Sequence, residues 1–181
     1  PGKWLNIFGP KGCGKTHLSN ILKKKINVVY MIDAKNINNE TISKFEKLDC
    51  LIIDNYGDNI HEKIFYSILN QSKQLDNYVV VNSILPIKDI RFDLKDLHSR
   101  AKSFVNLGIE LPTDDLLRVI ISKSFSDKQI EINPKISEYI IKNIERSYEK
   151  VFKFIKEIDD LSLSSGKSIN INLIKKVLKK E

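Results

Sequence analysis

The chain has 181 residues, 41% hydrophobic and 29% charged, with a formal net charge of +7. That composition belongs to globular domains with a buried core, and no run of about 18 apolar residues is present to cross a bilayer as a helix. The charge excess is divided evenly, with 16 Lys/Arg against 12 Asp/Glu over residues 1–110 and 14 against 11 over residues 111–181. Binding to nucleic acid needs clustered rather than dispersed charge, so weak or no direct DNA binding is expected.

The opening PGKWLNIFG lacks the charged-then-apolar pattern of a secretory signal and has no initiator Met, which reads as a trimmed start. A first strand is expected at 4–8. A Gly-rich loop follows at 9–16, and then an amphipathic helix carrying Leu18, Ile21 and Leu22. Further β-branched, apolar runs at 28–32, 51–53, 78–81 and, more weakly, 104–107 read as strands. Between them lie helical patterns, clearest over 60–75, where Ile60, Ile64, Ile68 and Leu69 share a face. Strands alternating with helices predict an α/β domain with a parallel sheet covered on both faces, spanning 1–110.

Beyond Gly108 the strand signals stop. Thr113 is the expected N-cap of a helix reaching about Phe125, with Asp114 and Asp115 in its first turn. Pro134 opens a second helix, with Ile136, Tyr139, Ile140 and Ile144 on one side. A third carries Val151, Phe154, Ile155, Ile158 and Leu161 and ends near Gly166. A fourth, after Ser168, carries Leu173, Ile174, Val177 and Leu178. Residues 111–181 therefore read as a small all-helical domain.

The chemistry is concentrated in GPKGCGKT, which matches G-x-x-x-x-G-K-[ST] at every fixed position, between a strand and a helix. Gly9, Pro10, Lys11, Gly12, Cys13 and Gly14 form a loop whose backbone N–H groups converge on phosphate oxygens at a helix N-terminus. Lys15 would bridge the β- and γ-phosphates, and Thr16 would set its hydroxyl on Mg²⁺. Asp54, at the end of the run Leu51-Ile52-Ile53, is the expected second metal-side residue. The next residue, Asn55, stands where ATPases of this class carry an acid that polarises water. An amide cannot take that proton, so slow hydrolysis is expected at most. Asn82, ending the run at 78–81, is a candidate for sensing the γ-phosphate or orienting water, against the alternative of a strand-end turn. Arg100 is a candidate finger for a neighbouring chain's nucleotide, against the alternative of a solvated charge.

His17, His61 and His98 share no metal-ligand spacing. Cys13 and Cys50 have neither zinc nor disulfide spacing, so a reducing cytoplasm is the expected setting. Trp4 and the Phe residues fit core positions better than base-stacking ones.

The order of these pieces resembles the AAA+ family in its DnaA-like branch, and within it the Hda-like regulators. GPKGCGKTHLSN is similar to that branch's phosphate loop, in which a His and a Leu follow GKT, and this brings His17 to the nucleotide side. LIIDN resembles the Hda form of the metal-binding strand. DLHSRAKSFVNLGIELPTDDLL looks like the Ser-Arg finger, the last strand and the start of a helical lid. SKSFSDKQIEINPKISEYIIKNIERS resembles that lid. The resemblance implies an ADP- or ATP-binding regulator that makes the initiator DnaA hydrolyse its ATP. It also implies the DNA sliding clamp as a second partner, engaged through a segment N-terminal to this chain.

A lid arginine that touches nucleotide in this family falls near residue 149, which is Glu149 here. Arg146, one turn earlier, is the candidate in its place. The finger reading places Arg100 partly exposed, unspent on its own chain, at the sheet edge that carries the phosphate loop. A chain ending after its lid favours the regulator over the initiator. An active AAA+ ATPase and a nucleoside kinase are the competing readings, and self-association stays open.

Overall fold

The computed structural model describes residues 3–57, 61–128, 130, 132–166 and 169–178. It divides into two compact units, Pro1–Glu110 and Leu111–Glu181.

The first unit is a five-stranded parallel sheet formed by β1 (Trp4–Phe8), β2 (Val29–Asp33), β3 (Cys50–Tyr56), β4 (Tyr78–Ser83) and β5 (Val105–Gly108), in the order β2-β3-β4-β1-β5. The connecting helices are α1 (Lys15–Lys23), α2 (Asn39–Phe45), α3 (Glu62–Leu75) and α4 (Lys95–Ala101). Alternation along the strands splits the core into two faces. Leu51, Ile53, Val79 and Val81 pack with Phe65, Ile68, Leu69, Leu97 and Phe104 on one side. Ile7, Cys50, Ile52 and Val80 pack towards Leu18 and Leu22 on the other. Both faces are covered, so the central strands are apolar throughout rather than alternating with polar residues.

The strand expected at 51–53 runs on to Tyr56, with Asp54 inside it. Pairing steps from Ile53↔Val81 to Tyr56↔Ser83, three residues on β3 against two on β4. This β-bulge leaves one extra residue, and Asn55 takes a left-handed backbone with φ 56°. Asn is one of the few residues that accept that region readily.

Of the face expected on the clearest helix, Ile68 and Leu69 are buried with Phe65, and Ile64 is half-buried. Ile60 lies outside the described residues. The short helices α2 and α4 had no comparable apolar stripe in sequence. Helix α2 is held instead by a capping box, Asn38 Oδ1 accepting from Thr41 N while Thr41 Oγ1 accepts from Asn38 N.

The second unit contains α5 (Asp114–Ser126), α6 (Pro134–Asn143), α7 (Tyr148–Ser165) and α8 (Ile171–Leu178). Thr113 caps α5 by accepting from Leu116 N, Pro134 is in the first turn of α6, and Gly166 ends α7 with φ 62°. Its core joins Leu117, Ile121 and Phe125 to Ile140, Phe154, Ile158, Ile174 and Val177. Ser168 lies outside the described residues.

Candidate functional site

The loop at 9–16 emerges from the C-terminal end of β1, the edge where open α/β sheets place their ligands. Gly9 is buried at φ 152°, and a Cβ there would fall 2.1 Å from the Ile109 carbonyl oxygen. No other residue fits. Gly12 and Gly14 have φ of 75° and 99°, which turn the chain sharply into α1. Pro10 and Lys11 are exposed at the tip, and Cys13 is buried beneath it. Lys15 Nζ donates to the carbonyl oxygens of Gly9 (2.6 Å) and Pro10 (2.8 Å), so its ammonium lies across the loop. Thr16 and His17 are exposed in the first turn of α1.

Behind the loop a polar network ties three elements together. Thr16 Oγ1 donates to Asp54 Oδ2 at 2.9 Å. Asp54 Oδ1 accepts from Asn82 Nδ2 at 2.9 Å and from the Asn55 backbone N–H at 3.0 Å. Asn82 Nδ2 also donates to Ser19 Oγ at 2.8 Å. Asp54 is buried, and Asn82 and Ser19 are fully so. A buried carboxylate is tolerated only when its lone pairs are met, and here both oxygens are. The Asn82 amide thus bonds both Asp54 and Ser19, and holds the carboxylate in place.

A hydroxyl and a carboxylate oxygen side by side at a phosphate loop are the hard oxygen donors that suit Mg²⁺, which keeps several waters and takes the rest of its shell from phosphate. The residues present fit such an ion. Thr16 and Asp54 would hold it.

Asn55 points elsewhere. Its Nδ2 donates to Asp33 Oδ2 at 2.8 Å, and Asp33 pairs with Asp54 in the β2–β3 register. The Asn55 amide, with the Lys35 backbone N–H, holds the Asp33 carboxyl below its ordinary range. The spacing of β2 gave no sign of this partner, because strand register is invisible in a single run of residues.

Two candidate residues stand differently from expectation. Arg100 is half-buried near the C-terminus of α4 and makes no ion pair among the described residues. It lines a groove of about 640 Å³ with Lys3, Trp4, Tyr66 and Asp76, where β1 and β4 begin. This is the edge opposite the phosphate loop, not the expected one. The physical reason is connectivity: the helix before a parallel strand runs back across the sheet, so its C-terminus arrives where the next strand starts.

Arg146 lies in the connection between α6 and α7, where no helix rotation can present it, and pairs with Asp114 at 3.0 Å. Glu149 occupies the first turn of α7, a position where a carboxylate offsets the helix dipole.

A family model described as RNA helicase matches residues 5–98, just over half of the chain. The chromosomal replication initiator protein DnaA of Buchnera aphidicola is 25% identical over 200 residues, covering 97% of this chain and 45% of the relative. The chain belongs to the family that this model describes, and over nearly its whole length it is similar to DnaA initiators. The matched stretch runs from β1 through the phosphate loop and Asp54 into α4, so what is shared is the P-loop architecture.

Solved structures extend the likeness in fold to nearly the whole chain. Domain III of the Thermotoga maritima replication initiation protein DnaA superposes with a TM-score of 0.77 at 19% identity, covering 98% of this chain and 83% of that one. A replication initiator DnaA bound to AMPPCP and single-stranded DNA gives 0.70 at 22% identity, covering 86% and 55%. The chain spans less than half the length of the curated relatives it matches. Among the described residues no helix is long and apolar enough to cross a membrane.

Proposed function

We propose that this chain is a cytoplasmic, nucleotide-binding regulator that stimulates ATP hydrolysis by the initiator DnaA and so limits replication initiation, with the sliding clamp as its second partner. In this reading residues 1–110 hold ADP or ATP with Mg²⁺ through Gly9 to Thr16 and Asp54, and residues 111–181 act as the lid. The observation that carries the proposal is the position of Asn55. The loop and the metal-side residues are complete, yet the residue that would polarise water is an amide turned to Asp33. Such a site retains its nucleotide and turns it over slowly.

Chemistry is then supplied to another chain. Arg100 is half-buried with a guanidinium unspent on ion pairs among the described residues, and from the edge opposite its own loop it serves a partner that brings its nucleotide to that edge. The relatives' names favour a second reading, an initiator core whose own hydrolysis matters. Single-turnover hydrolysis by the isolated chain, set beside stimulation of ATP-loaded DnaA, separates the two. Slow turnover with strong stimulation supports the regulator. Turnover at about 1 s⁻¹ or faster, the range common among enzymes, with no stimulation supports the initiator core.

A further inference from the structure

The groove at the starting edge of the sheet has a specific construction. The Arg100 guanidinium carbon lies 4.8 Å from the centroid of the ring of Tyr66, on α3. Tyr66 is itself half-buried and packed against the core that holds Phe65, Leu97 and Phe104. The neighbouring cation in the groove, Lys3, is neutralised by Asp76 at 2.5 Å. Lys73, seven residues after Tyr66 on α3, also lines the groove, is exposed, and makes no ion pair among the described residues. Arg100 and Lys73 are thus the uncompensated positive charges there, with one acid that is unpaired among the described residues, Asp96, also in the lining. One is fixed by a ring and the other is free to follow.

A guanidinium held within cation–π reach of an aromatic ring keeps N–H donors available while losing rotamer freedom. That is what a finger needs. A free arginine side chain must give up rotamer freedom before it can act. We infer that Tyr66 is a positioning residue for Arg100: its ring holds the guanidinium in the groove, with N–H donors left for the polyphosphate of a nucleoside triphosphate bound to a partner chain. Lys73 contributes a second, point-like charge to the same phosphates. The inference rests on the finger role of Arg100 proposed above. It adds the residue that presents the finger and the groove that receives the partner's phosphates.

The test measures hydrolysis by ATP-loaded DnaA, with clamp and DNA present, driven by the full chain carrying Tyr66→Phe, Tyr66→Leu, Lys73→Ala or Arg100→Ala. Tyr66→Phe keeps the ring and should stimulate within about twofold of the parent. Tyr66→Leu keeps apolar bulk against the core but has no π face, and should lower the maximal stimulated rate about three- to tenfold, the range a cation–π contact supports. Lys73→Ala should raise the concentration needed for half-maximal stimulation and leave the maximum nearly unchanged. ADP binding by all four variants, followed by calorimetry, should match the parent and so confirm an intact fold. Equal stimulation by the Phe and Leu variants, with Arg100→Ala inactive, overturns the positioning role while leaving the finger in place. Full stimulation by Arg100→Ala overturns the finger itself, and the inference falls with it.

Discussion

The Thr16 hydroxyl donates to Asp54 Oδ2 at 2.9 Å, joining the first turn of α1 to the middle of β3. Asp54 is in turn gripped by Asn82 on β4, so a displacement of any one of three elements is felt at the phosphate loop. Nucleotide contacts and sheet packing are therefore coupled through a single carboxylate.

Loss of Asn82 should be the costliest change in that network. Asn82→Ala leaves a buried carboxylate oxygen and the Ser19 hydroxyl short of a partner, and should destabilise the chain by about 1–3 kcal/mol. Thr16→Ala takes the donor from Asp54 Oδ2, but that bond is only partly buried and water can replace it, so the cost should be less, about 0.5–1.5 kcal/mol. Urea unfolding of both variants checks the order. A larger loss for Thr16→Ala would contradict it.

Lys15→Ala should separate binding from folding. The ammonium is bonded to the loop carbonyls of Gly9 and Pro10 rather than to the core, so the variant should unfold near the parent's midpoint. Calorimetry with ADP and with ATP and Mg²⁺ should show affinity lower by about 10- to 100-fold, the value of one or two charge-assisted hydrogen bonds. Unchanged affinity would remove the loop at 9–16 from the nucleotide site.

Restoring an acid at position 55 is expected to fail on its own. Asn55→Asp sets a second carboxylate against Asp33, where the amide now donates at 2.8 Å. Like charges at that distance raise one of the two pKa values and destabilise the ionised pair. The variant should be less stable than the parent at pH 7, with the gap narrowing as the pH falls and one carboxyl takes a proton. The double variant Asp33→Asn with Asn55→Asp restores an amide–carboxylate pair with the roles exchanged. It should be the more stable of the two at pH 7 and the more active in ATP hydrolysis. Faster turnover by the single variant than by the double would show that Asp33 does not restrain position 55.

Direct DNA binding should be weak despite a positive net charge. A mobility-shift titration at physiological salt with single- and double-stranded probes is expected to give dissociation constants in the non-specific range, about 10⁻⁴–10⁻⁶ M. The single-stranded arm matters because a structural neighbour is an initiator bound to such a strand. Complexes tighter than about 10⁻⁸ M would mark a specific site.

Much of this was readable in the residues. The strand at Trp4–Phe8, the loop after it, the Thr113 cap and the Gly166 stop follow from local rules of periodicity and capping, and each is where those rules put it. What was not readable depends on register. The bulge that extends β3 to Tyr56 and turns Asn55 to Asp33 arises from pairing with β4 and β2. The burial of Asn82 likewise comes from its flanking strands. The edge on which Arg100 lies follows from how α4 crosses the sheet, which the Ser-Arg motif does not encode. Arg146, the candidate in place of a lid arginine, is expected on a helix, but α7 starts at Tyr148 and the residue precedes it.

The most direct test of the regulatory account is the rate at which ATP-loaded DnaA hydrolyses its nucleotide when this protein carries Arg100→Ala. With clamp and DNA present, the parent should accelerate that hydrolysis. The variant should lose most of the acceleration, up to the 10³–10⁵ that such arginines supply where measured, while binding ADP as the parent does. Undiminished acceleration by the variant would contradict the account.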